Sequence, residues 1–165
     1  MQTKTKRLTT LALLTSAALL LSFVETLIPP IVPIPGVKLG LTNTVALFTL
    51  YRLGWREAGA VSLLRVSLSA LLFGSVSSLM YAAAGAVLSL AVMLLAKHLH
   101  LAKGTVSILG AVSHNVAQIG VSLLILQTEV VIYYLPALLI SGIITGAIIG
   151  VIASVLLRKM ENIRL

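Results

Sequence analysis

The basic residues of this chain alternate with its apolar segments, and that layout restricts the fold more than any other feature. Six apolar runs are read, at approximately 8–28, 39–53, 57–73, 76–96, 105–126 and 132–157. Ten of the twelve Lys and Arg residues fall before the first run, between runs two and three, between four and five, or after the sixth. They are Lys4, Lys6, Arg7, Arg52, Arg56, Lys97, Lys103, Arg158, Lys159 and Arg164. Positive charge gathered at every second connection is the mark of cytoplasmic loops. An odd number of spans would break the pattern, so six transmembrane helices are expected, with both termini in the cytoplasm.

Composition agrees. At 165 residues, 59% apolar and 10% charged, the chain cannot hide its apolar surface in one water-soluble core and needs lipid as solvent. A spanning helix takes about 20 residues, so six nearly exhaust the length and a single transmembrane domain, all-α, is expected in the bacterial cytoplasmic membrane. A net charge of +8 would suggest nucleic acid in a soluble protein, but here the charges sit beside spans as orientation signals. The partner they imply is the bilayer, with no nucleic acid. Cys and Asp are both absent, and the only side-chain carboxylates are Glu25, Glu57, Glu129 and Glu161. No metal site, cofactor or catalytic residue is read. Lys4, Lys6 and Arg7 resemble the start of a signal peptide, but the run reaches Ile28 and ends in Pro29-Pro30 without a small-residue cleavage site, so a retained first helix is expected.

Prolines 29, 30, 33 and 35 close the first span and make a stiff apolar loop, either a plain connector or a cover over a pocket. Spans two and three are short, and span two opens on Lys38-Leu39-Gly40, as a helix starting below the membrane surface does. Span six carries Gly142, Gly146, Gly150 and Ser154 at i, i+4 spacing, a ridge for close helix packing. Ala12 and Ser16 offer a weaker pair on span one, and Ala82 to Ala86 make span four thin.

Polar groups within spans are the functional signal, because each costs about 2.5–3.5 kcal/mol on insertion scales and tends to face the bundle interior. At 1.5 Å per residue, Arg65 lies about 12 Å into span three and His114 about 14 Å into span five, both near mid-depth. Gln118 lies a turn further out. Glu25 sits about a turn from the outer end of span one, and Lys38 and Asn43 flank the outer start of span two. None is in the cytoplasmic half, which describes a pocket reached from outside. Gly110, His114 and Gln118 share a face of span five with Asn115 beside it, and Ser62, Arg65 and Ser69 form a stripe on span three. Two such stripes facing each other would line one cavity.

Plainer roles stay open. Arg65 is either a ligand contact or the ion-pair partner of Glu25. His114 and Asn115 either bond between helices or face the pocket; Asn43 either caps span two or lines it; Lys38 either snorkels to the surface or points inward. With Arg65, Lys38 and His114 against one carboxylate, the pocket favours a ligand with an anionic or imide-like group and an apolar body.

Three segments, PGVKLGLTNTVALFTLYRLGWREA, SLLRVSLSALLFGS and GAVSHNVAQIGVS, together resemble the Gx transporter family, also labelled heptaprenyl diphosphate synthase component I. The resemblance runs from about Leu8 to Leu157. That family is similar in size and span count to the S components of energy-coupling factor transporters, which capture a vitamin or related molecule from outside and dock onto a membrane scaffold and two ATPases. The resemblance therefore implies a small-molecule ligand and such partner subunits, with docking through Ala12 and Ser16, a partial match to the AxxxA stripe of S components. Lys38, Asn43, Arg65, His114, Asn115 and Gln118 fall inside the family's segments. The synthase label implies instead a subunit of an isoprenoid or quinone pathway. Prenyl diphosphate chemistry holds Mg²⁺ through carboxylates, and a chain without Asp lacks the aspartate-rich motif, so a non-catalytic subunit is expected. No GxxxxGK[ST] occurs, and ATP hydrolysis would come from partners.

Overall fold

Apolar runs bounded by turn chemistry become helices with definite ends. The computed structural model describes residues 4–27 and 40–161. They form α1 (Lys4–Leu27), α2 (Leu41–Arg52), α3 (Trp55–Phe73), α4 (Val76–His98), α5 (Lys103–Leu126), a 3-10 helix (Glu129–Tyr134) and α6 (Leu135–Lys159), with no strand among the described residues. The Pro-rich loop and Lys38 lie outside the described residues. Gly54, at φ 117°, turns the chain between α2 and α3. Ser75 and Ser78 cap the start of α4 reciprocally, each side chain accepting from the other's backbone N–H. The final span differs from expectation at its start: residues 129–134 coil as a 3-10 helix, and the α-helix begins one residue before Pro136, whose missing N–H costs nothing in a first turn.

Among the described residues, four helical stretches are long and apolar enough to cross a membrane: α1, α4, α5, and the 3-10 helix with α6, together 31 residues. Their outward side chains include Leu13, Leu20, Leu124, Ile144 and Val151, each more than half exposed, while Thr15, Ser22, Ser89 and Ser107 are buried inside. This is apolar surface turned outward, as lipid demands. The chain is a multi-pass membrane protein. Of the remaining helices, α3 carries Arg56, Glu57 and Arg65, and α2 has only 12 residues.

That short helix is the axis of the bundle. α2 touches all five other helices, while α5 packs between α4 and α6, and α1 and α3 close the other side. Thr42 and every residue of 44–50 are buried. Leu47 and Leu50 join Ala58, Met93, Ala96, Val106 and Ala153 in the main apolar cluster. At 1.5 Å per residue α2 is about 18 Å long, against a hydrocarbon core of about 30 Å. Its C-terminal end lies among the basic residues, where Lys97 Nζ donates to Leu50 O at 2.7 Å and the Lys97 and Lys103 ammoniums sit 4.8 and 5.7 Å from the Tyr51 ring centre. Arg7 pairs there with Glu57, joining α1 to α3; the pair is half-exposed and worth at most about 1 kcal/mol.

The span-six ridge turns inward. Gly142, Gly146 and Gly150 are buried against α5, and a Cβ on Gly146 would lie 2.7 Å from Ile108 Cα. The ridge is internal packing. Ala12 and Ser16 are exposed on the outside of α1.

Candidate ligand-binding site

Where α2 stops short, the other helices continue, and the space it leaves is a cavity of ≈340 Å³. That is near the lower end of the roughly 300–1,000 Å³ usual for small-molecule sites. Its floor is the start of α2 at Gly40, Thr42 and Asn43. Glu25 enters from α1, Arg65 from α3, Ser77, Ser78 and Tyr81 from α4 with its cap Ser75, residues between Ala111 and Leu126 from α5, and Thr145 from α6. Six of the seven residues expected at the site, Glu25, Asn43, Arg65, His114, Asn115 and Gln118, line this one cavity. The seventh, Lys38, is outside the described residues.

The floor is built by an uncapped helix start. Gly40 sits at φ 72°, the left-handed region that suits glycine, and no side chain of the helix's own cap residue satisfies the first amides. The carboxylate of Glu25 does so from another helix, accepting from the Leu41 N–H. Asn43, two residues further on, bonds back to Gly40 O only through its backbone N–H, at 2.8 Å. The cap of α2 is therefore Glu25 rather than Asn43, whose side chain stays at the cavity wall.

Arg65 is 9% exposed. Among the described residues it forms no hydrogen bond and no ion pair, and Glu25 acts on it through charge from beyond pairing distance. A buried guanidinium presents five donors and is costly without acceptors. Here it is one of the residues lining the cavity. The stripe expected on α3 does not hold together, because Ser69 Oγ donates to Ser22 Oγ of α1 at 3.1 Å and Ser62 is buried away from the cavity. Arg65 alone of the three reaches it.

The α5 stripe does hold toward the C-terminal end of the helix. His114, Gln118 and Ser122, four residues apart, all line the cavity, whereas Gly110 faces Met93. Asn115 lines it too, but its Nδ2 donates to Leu138 O of α6 at 2.7 Å, so its amide ties two helices. His114 lies against Gly85 of α4, where a Cβ would meet the ring at 2.5 Å. Gly85→Ala is therefore expected to push the imidazole out of place. It should weaken ligand binding about as much as His114→Ala does, with overpacking lowering stability by about 1–3 kcal/mol. Titration of both variants and their melting temperatures check this.

Sequence reasoning missed Thr42, Ser75, Ser77, Ser78, Tyr81 and Thr145. The serine run before Tyr81 was the available signal. Among the described residues no three His, Cys, Asp or Glu side chains converge as metal ligands do.

A sequence model of the family described as heptaprenyl diphosphate synthase component I matches residues 14–156. The chain belongs to that family. No curated protein and no solved structure matches it. In this heptaprenyl diphosphate synthase component I family member, every described wall of the cavity lies within the matched segment, from Glu25 to Thr145. The family's name denotes one component of a synthase, which implies a partner component.

Proposed function

We propose that this protein is a substrate-capture subunit of the bacterial cytoplasmic membrane, similar in role to the S components of energy-coupling factor transporters. It takes a small molecule with an anionic or imide-like group and an apolar body from the outer face, and works with separate scaffold and ATPase subunits. Six helices cross or enter the membrane with both termini inside. The gathering of Arg7, Lys97 and Lys103 at the end of the bundle away from the cavity supports that orientation.

The observation that carries the reading is Arg65, buried at the cavity wall without a hydrogen-bond or ion-pair partner among the described residues. Arg matches carboxylate and phosphate acceptors bidentately, and a ligand bringing such a group satisfies it. Ile119, Leu126, Val131 and Ala82 give the cavity apolar walls for the rest of the molecule. Asn43, His114 and Gln118 are the proposed polar contacts beside it. Ala12 and Ser16, exposed on α1, are the proposed docking surface for the scaffold.

The test is to purify the protein in mild detergent and identify co-purifying small molecules by mass spectrometry. A vitamin-, flavin- or quinone-precursor-like compound released on denaturation is the expected result. A protein that comes out empty and binds none of a broad panel of such compounds sinks the proposal. The family's name favours a second reading, a non-catalytic membrane subunit that holds an isoprenoid for a synthase partner. Recovery of prenyl diphosphates in the same experiment would select it.

A further inference from the structure

We infer that the basic end of the bundle holds an anionic phospholipid, its phosphate in a pocket between α2, α5 and α6 and an acyl chain along the groove between α5 and α6. The ligand cavity is lined by the start of α2, whereas this pocket is lined by its end at Tyr51 and Arg52, and the two share no residue. The inference holds whether or not the capture reading does.

The pocket has a volume of ≈570 Å³. Besides the end of α2, its walls are Lys103 and Gly104 at the start of α5 and Ser154 and Arg158 in the last turns of α6. Lys103 and Arg158 are exposed, and neither is in an ion pair among the described residues. The Lys103 ammonium lies 5.7 Å from the Tyr51 ring centre, and Arg158 brings a fork that matches phosphate oxygens. Glu161, also exposed, is the one carboxylate on the described wall. The start of α5 adds to the attraction for an anion, because its cap residue Ala102 offers no side-chain acceptor to the first amides.

A second hollow, of ≈460 Å³, continues the first, since Gly104, Ser154 and Arg158 line both. Its other walls are Gly150, Val151, Val155 and Lys159. Here α5 and α6 come within backbone contact: a Cβ on Gly150 would lie 2.9 Å from Gly104 Cα, while a Cβ on Gly104 would meet nothing within 4 Å. Val151 and Val155 are exposed, as residues facing lipid are. A soluble phosphate would occupy the pocket and leave this apolar groove empty. A phospholipid uses both, its head among the basic side chains at the membrane surface and its tail along the valines.

The experiment mixes the full chain in detergent with dioleoyl phosphatidylglycerol and with dioleoyl phosphatidylcholine, which share their tails, and counts retained lipid by native mass spectrometry. A basic side chain near a membrane surface is worth about fivefold in anionic lipid binding, so the wild-type protein is expected to prefer phosphatidylglycerol by at least about that factor. Lys103→Gln with Arg158→Gln is expected to lose the preference. Lys4→Gln with Arg56→Gln removes the same charge away from the pocket and is expected to keep it. Equal retention of the two lipids by the wild-type protein overturns the inference, and that comparison needs no variant. Equal loss in both double variants overturns it too, because the attraction would then belong to diffuse surface charge. Displacement of the lipid by inorganic phosphate at the lipid's own concentration would assign the pocket to a soluble phosphate and overturn the lipid assignment.

Discussion

Arg65→Ala is expected to lower affinity for the co-purifying ligand by roughly 30-fold to more than a thousandfold, with little loss of folded protein. Truncating one partner of a buried charged pair costs about 2–5 kcal/mol, and each 1.4 kcal/mol is about a factor of ten. The fold should tolerate the change, because among the described residues none is bonded to the guanidinium. Loss of the charge interaction with Glu25 offsets part of the relief gained by no longer burying a guanidinium. Arg65→Lys keeps the charge without the planar fork and should fall between the two. Titration with the purified ligand, alongside the melting temperature of the empty protein, separates the effects. If folded yield collapses while the surviving protein still binds, Arg65 is a structural residue and the proposed site loses its centre.

Gly146→Val should have the largest effect on the bundle itself. The added Cβ would meet Ile108 Cα at 2.7 Å and Ser107 O at 3.1 Å. Both are backbone atoms of α5, so no rotamer change relieves the clash and the two helices must part. Overpacking ordinarily costs about 1–3 kcal/mol, and a contact with helix backbone belongs at or above the top of that range. Loss of the monodisperse peak in size-exclusion chromatography, with a lowered melting temperature, is the expected outcome. Gly120→Ala, where a Cβ meets nothing within 4 Å, is the control and should behave as wild type. An unchanged Gly146→Val protein would mean that α5 and α6 do not approach this closely.

The lining of the candidate site was legible where a residue contradicted its surroundings. Arg65, His114 and Gln118 stand out because each interrupts an apolar run, and all three line the cavity. Glu25 also stood out, but its cross-helix bond to the Leu41 N–H was not readable, since nothing in a sequence tells which helix start a carboxylate will cap. The α4 serines were overlooked for the opposite reason, because Ser at a helix start is an ordinary cap and Ser75 and Ser78 do cap their helix. Ser69 was misjudged because spacing on α3 gives a shared stripe but not the neighbour it meets, which is Ser22. The shortness of α2 was visible in its run length. Its place at the centre was not, because partners are chosen by shape and a run of Thr, Val and Leu fits many positions.

The shortness of α2 also separates two kinds of residue in the chain. The cavity takes its walls from all six helices, whereas the frame is held nearer the basic end by Gly146, Gly150 and the cluster around Leu47 and Leu50. Tyr81, Gln118 and Ser122 can therefore change without disturbing the contacts that keep the bundle together. On the capture reading, such a division lets selection retune what is recognised while the architecture is inherited intact, so relatives sharing this frame need not share a ligand.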